Sequence, residues 1–105
     1  MVISGGVNIY PAEIEATLAT LPGIADCAVF GIPDDEFGES LVAAIQPAGG
    51  TNLQAGDVQA FLRSRLANYK VPHAVIFVAN LPREETGKIF KRRLKEQYLL
   101  LARAS

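Results

Sequence analysis

Two apolar runs joined by a short polar turn constrain this chain more than any other feature. Ala25 to Ile32 is mostly apolar and reads as a strand covered on both faces. Pro33-Asp34-Asp35-Glu36-Phe37-Gly38 is a polar turn, and Leu41 to Ile45 makes a second strand. The joining turn is too short for a parallel crossover, so the two strands pair side by side and antiparallel.

The remaining elements follow from local signals. Val2 to Ile9 reads as two short extended pieces joined by the glycine turn Gly5-Gly6, an N-terminal hairpin. Tyr10-Pro11 starts a helix, with proline at a tolerated first position and Glu13 and Glu15 near the favourable N-terminal dipole. Ile14, Leu18 and Leu21 share one face of it, and Pro22-Gly23 ends it. After the loop Pro47 to Asn52, a second helix begins between Gln54 and Asp57 and turns Val58, Phe61, Leu62 and Leu66 inward. Asn68 to Pro72 breaks that helix, and Ala74 to Val78 supplies a third strand. A last helix repeats Phe90, Leu94, Tyr98 and Leu101 in steps of four and three, one buried face. The pattern predicts an α+β fold: a small mixed sheet of short strands flanked by about three helices, with an N-terminal glycine-turn hairpin. The tail Tyr98 to Ala102 is more apolar than one helix face needs, which fits either packing on the core or contact with another chain.

Composition narrows the function. The 105 residues make one domain, and a net charge of −1 argues against a dedicated nucleic-acid binder. The single cysteine, Cys27, excludes an internal disulfide and reads as a buried structural thiol. No apolar stretch is long enough to span a membrane and no leader is visible at Met1, so the expectation is a soluble, cytoplasmic protein. Asp34, Asp35, Glu36 and Glu39 crowd a turn and read as a solvated loop. His73 has no cysteine or carboxylate at ligand spacing, so no metal site is assigned. No Ser-His-Asp or Cys-His set can be assembled from one histidine and one buried cysteine, which excludes a self-contained hydrolase.

The segment Leu81-Pro82-Arg83-Glu84-Glu85-Thr86-Gly87-Lys88-Ile89-Phe90-Lys91-Arg92 carries the chemistry. Gly87 admits backbone conformations closed to other residues and can present Lys88 sharply outward. A phosphate-binding loop would need an early glycine and a hydroxyl after the lysine, but Pro82 and Ile89 occupy those places. Lys91, Arg92, Arg93 and Lys95 crowd the first turns of the last helix, against its dipole, and an anionic ligand is the natural gain from that cost.

Four motifs in order resemble one family. Ile3-Ser4-Gly5-Gly6-Val7-Asn8-Ile9-Tyr10-Pro11-Ala12-Glu13-Ile14-Glu15 closely resembles the opening of the small C-terminal domain of acyl-CoA synthetases, members of the adenylate-forming, AMP-binding enzyme superfamily. Val29 to Glu39 and Leu66 to Pro72 fit the family's middle motifs, and Pro82 to Lys88 with Ile89-Phe90-Lys91-Arg92 looks like its last. The resemblance covers nearly the whole chain. It implies that residues 1–105 are the mobile C-terminal domain of an ATP-dependent acid–CoA ligase, its large N-terminal domain absent. The parent would join a carboxylic acid to ATP, release pyrophosphate, and pass the acyl group to coenzyme A. Lys88 matches the family's adenylation lysine, with Thr86 and Gly87 in the loop that presents it. Ser4, Gly5 and Gly6 match the loop that lines the pantetheine tunnel. The acid pocket and the Mg2+ that accompanies ATP would belong to the large domain, and the isolated domain would be inactive. The same loop resembles sites of lysine acetylation, which implies a lysine acetyltransferase as a regulatory partner. The residues also admit a free-standing regulatory or interaction module derived from such a domain, and, well below it, a basic-helix nucleic-acid binder using Lys91, Arg92, Arg93 and Lys95.

Overall fold

In the computed structural model, which describes residues 1–104 and the side chains of residues 1–102, the chain begins with a small hairpin. Strands β1 (Val2–Ser4) and β2 (Val7–Ile9) pair antiparallel, with Ser4 opposite Val7. Helix α1 (Pro11–Leu18) follows, opening on proline with Glu13 in its first turn. Two long strands come next, β3 (Ile24–Asp34) and β4 (Gly38–Pro47). Helix α2 (Ala55–Arg63) starts at Gln54, whose N–H donates to the Asp57 carboxylate at 2.9 Å in a capping box. A short 3₁₀ turn at Asn68–Lys70 leads to β5 (Ala74–Phe77), and helix α3 (Lys91–Ala104) closes the chain.

The central sheet has the order β3-β4-β5. β3 and β4 are antiparallel, as their short connection requires. β5 lies parallel to β4, with Val42 opposite Ala74, because α2 provides the crossover between them. This gives a mixed sheet and the α+β architecture expected from the sequence.

The unbroken apolar stretch of β3 is explained by burial on both faces. Cys27 and Val29 point into one cluster with Ile14, Leu18, Ile45, Val58 and Leu62, from α1, β4 and α2. Ala28 and Phe30 point into a second cluster with Val42, Ala44, Leu81 and Leu94, beneath the basic loop and α3. Each large aliphatic side chain so enclosed stabilises the fold by roughly 1.5–3 kcal/mol relative to exposure. Gly31 is a packing glycine: a Cβ there would lie 2.8 Å from Glu39 Oε2 and 2.9 Å from Val2 Cγ2, so its bareness lets β1 lie close over β3.

Three sequence expectations change. The turn is narrower than Pro33 to Gly38, since Pro33 and Asp34 stay in β3 opposite Glu39 and Gly38. Proline is tolerated because β3 is an outer strand of the sheet. Leu21 and Leu66 lie beyond the ends of α1 and α2, although both still pack against the first cluster. Leu101 is not on a buried face: it is 71% exposed, and Leu100 is 64% exposed. Helix α3 makes its last described packing contact with the second cluster through Tyr98, edge-on to Phe30 with ring centroids 6.4 Å apart.

Candidate functional site

Residues 81–90 form a hairpin whose shape is fixed by main-chain bonds. Leu81 is buried in the second cluster, and its N–H donates to Gln46 Oε1 at 3.1 Å. Phe90 N–H donates to the Pro82 carbonyl at 2.7 Å, and Arg83 and Ile89 bridge antiparallel. At the tip, Gly87 N–H donates to the Glu84 carbonyl at 2.9 Å, and Glu84 N–H to the Lys88 carbonyl at 2.8 Å. This is the bonding of a tight turn followed by a bulge whose last loop residue is left-handed. Gly87 is that residue, with φ of +91°. Its place is set by backbone conformation alone, since a Cβ there would meet nothing within 4 Å.

Lys88 follows directly, at the rim of a depression also lined by Glu15, Asp26, Cys27, Arg83 and Lys91. The charges around it are matched. Arg83 pairs with Asp26, and Lys91 Nζ lies 2.9 Å from Glu15 Oε2. Glu15 Oε2 also accepts the Val29 N–H at 2.8 Å, tying α1 to the outer edge of β3. Lys88 is exposed and enters none of the ion pairs among the described residues. The structure therefore gathers Thr86, Gly87 and Lys88 into one tip and leaves a free ammonium at its end.

Two features of this site were missed in the sequence. The Asp26–Arg83 and Glu15–Lys91 pairs join segments far apart in the chain, and only the lone acidic Asp26 inside an apolar strand hints at them. Two of the four cations at the start of α3 have carboxylates beside them. Lys91 is answered by Glu15, and Arg92 approaches Glu96 at 4.0 Å.

Ser4, Gly5 and Gly6 are placed elsewhere. Gly5 and Gly6 have φ of +57° and +81°, the two left-handed residues that a tight hairpin turn requires. Gly5 N–H donates to the Phe37 carbonyl at 2.9 Å, and Ile3 N–H to Glu39 Oε1 at 3.0 Å, docking the hairpin on the β3–β4 turn. Asp34 Oδ1 shapes that turn by accepting from Glu36 and Phe37 N–H, both at 2.9 Å, and these bonds hold its carboxyl below the usual range. A shallow depression beside the glycine turn is lined by Ser4, Gly5, Val7, Phe37, Tyr69 and His73. The glycine turn thus lies at the Asp34 end of β3 and the Lys88 tip at the Asp26 end. At 3.3 Å per residue the eight steps between them span about 26 Å.

Cys27 faces the protein interior. Burial, reinforced by the negative charges of Glu15 and Asp26, pushes its thiol up to about 11, which removes it as a nucleophile at neutral pH. Among the described residues, no three His, Cys, Asp or Glu side chains are grouped to hold a metal ion. No helix among them is long and apolar enough to cross a membrane.

Known proteins share this fold. The sequence profile of the AMP-binding enzyme C-terminal domain matches residues 13–88. A 3-[(3aS,4S,7aS)-7a-methyl-1,5-dioxo-octahydro-1H-inden-4-yl]propanoyl:CoA ligase of Rhodococcus jostii (strain RHA1) is 50% identical over 97 residues, 92% of this chain and 19% of that protein. A feruloyl-CoA synthase of an Amycolatopsis species is 46% identical over 98 residues, 93% of this chain and 20% of that protein. The crystal structure of ATP-bound MatB from Rhodopseudomonas palustris superposes with a TM-score of 0.90 at 40% identity, covering 93% of this chain and 20% of that one. The chain thus spans about a fifth of the length of the relatives it matches. It belongs to the AMP-binding enzyme C-terminal domain family, the small domain of the adenylate-forming acyl-CoA synthetase superfamily.

Proposed function

We propose that this chain works as the mobile C-terminal domain of an acid–CoA ligase, and that Lys88 is its adenylation lysine. The observation that carries the reading is the Lys88 ammonium, in no ion pair among the described residues, at the tip of a hairpin held by its own main chain and beside the paired Arg83 and Lys91. In adenylation a carboxylate oxygen attacks the α-phosphorus of ATP and pyrophosphate leaves. Negative charge must be brought together there, and a compact ammonium on a long stem can bridge both partners. The large N-terminal domain, in this reading, holds the acid, most of the nucleotide and its Mg2+. Coenzyme A is the acceptor of the acyl group, with Ser4, Gly5 and Gly6 offering bare backbone to the pantetheine arm.

The separation of the two loops supports alternation. Loops docked at opposite ends of β3, where Asp26 and Asp34 lie about 26 Å apart along the strand, do not enter one active site together, so in this reading the domain turns between the two half-reactions. A cytoplasmic setting and an inactive isolated domain belong to the same reading. So does acetylation of Lys88, which would cancel the charge that adenylation uses.

The test is made in the full-length polypeptide. Lys88→Ala should lower ATP–pyrophosphate exchange by about a hundredfold or more, to a residual rate that can still be measured, while the thioester still forms from supplied acyl-adenylate, and stoichiometric acetylation of Lys88 should do the same. Normal exchange by the Lys88→Ala enzyme would refute the assignment.

A further inference from the structure

The Lys88 hairpin is attached to the sheet by one side chain in a way its own main-chain bonds do not account for. Arg83 uses both ends of its guanidinium. Nη1 donates to the Gly87 carbonyl at 2.9 Å, and Nη2 pairs with Asp26 Oδ2. The Gly87 carbonyl belongs to the peptide that leads into Lys88, so this bond sets the plane from which the lysine departs. Asp26 is itself fixed, because its other oxygen accepts the Cys27 N–H at 2.9 Å. It also sits beside an irregularity in β3, where Ile24 faces Pro47 but Asp26 faces Gln46, leaving Ala25 as an extra residue. Such bulges re-aim the neighbouring side chain. A rigid, planar fork can satisfy a carbonyl and a carboxylate at once, which an ammonium does poorly.

We propose that Arg83 is a positioning residue for the adenylation half-reaction, acting through the Gly87 peptide on Lys88 and anchored by Asp26. The inference rests on the reading of Lys88 given above. Without the guanidinium the hairpin keeps its bonds at Pro82, Glu84 and Phe90 but loses its tie to β3. Lys88 then reaches its target in fewer of its orientations, and a misplacement of about 1 Å costs up to a hundredfold in rate.

The experiment uses the full-length enzyme with four variants: Arg83→Ala, Arg83→Lys, Lys88→Ala, and Arg83→Ala combined with Lys88→Ala. Arg83→Ala should lower kcat for ATP–pyrophosphate exchange by about tenfold or more, with KM for ATP changed far less. Thioester formation from supplied acyl-adenylate should stay within about twofold of wild type. Arg83→Lys should fall between, since it keeps the pair with Asp26 but not both bonds. The deciding result is the combined variant, which should be no slower in exchange than Lys88→Ala alone. Additive losses would mean that Arg83 meets substrate directly and would overturn the proposal, as would equal damage to both half-reactions or an unimpaired Arg83→Ala enzyme beside a strongly impaired Lys88→Ala one. Normal exchange by Lys88→Ala would instead overturn the reading of Lys88 itself.

Discussion

Asp26 and Gln46 face one another across β3 and β4, and each takes hold of the segment that carries Lys88. Gln46 accepts the N–H of Leu81 at the hairpin's root, and Asp26 pairs with Arg83 on its rising arm. On the far side, Lys91 is held by Glu15, and Leu94 is buried beneath the first turn of α3. The exposed tip is therefore mounted on the two long strands of the sheet, near their Ile24–Pro47 end. A catalytic ammonium gains most from such a mounting, because its placement costs no reorganisation when the reaction occurs.

The Gly87→Ala variant separates stability from placement. Alanine meets no neighbour there but must adopt a left-handed backbone, at roughly 1–2 kcal/mol. Denaturant unfolding of the variant should fall by about that amount or less, while exchange in the full-length enzyme should drop by about tenfold or more. An exchange rate equal to wild type would show that Lys88 does not depend on the turn geometry.

Gly31→Ala attacks the docking of the N-terminal hairpin. The new methyl would collide with Val2 and with Glu39, whose Oε1 holds the Ile3 N–H. Overpacking of this kind costs about 1–3 kcal/mol. Hydrogen exchange should quicken at Ile3 and Gly5 more than at amides of β4. Uniform protection across the hairpin would contradict the tight approach of β1 to β3.

Cys27 sets the response to alkali. Its folded value of about 11 lies above that of an unfolded cysteine, so the folded state favours the neutral thiol. The stability this contributes is fully present below about pH 8.5, the usual unfolded value. It is lost as the pH rises from there through about 11. The native protein should resist iodoacetamide at neutral pH and react once urea unfolds it, and Cys27→Ala should flatten the alkaline loss. Rapid labelling of the native thiol would place Cys27 outside the core.

What the sequence revealed depended on how local each signal was. Cys27 to Phe30 could be read because consecutive residues are apolar whichever face they serve. Gly5-Gly6 and Gly87 could be read because a left-handed backbone leaves a mark in residue type. The end of β3 was harder, because Pro33 marks a turn by local rules and is tolerated only by its outer position in the sheet. Leu101 follows the helical period beyond the point where described neighbours cover α3, and a period cannot tell where a partner stops. The pairings of Arg83 with Asp26 and Lys91 with Glu15 depend on which segments the sheet brings together, a property of topology and not of spacing.

Glu15 has one more consequence, for solubility. β3 is the outermost strand of its sheet, and it runs for 11 residues. Strands of that kind offer their free amides to a second copy and invite chain-on-chain growth. Here the carboxylate of Glu15 occupies the Val29 amide midway along that border, and the ammonium of Lys91 stands beside it. The group that fastens α1 to the sheet also blunts the border against self-association.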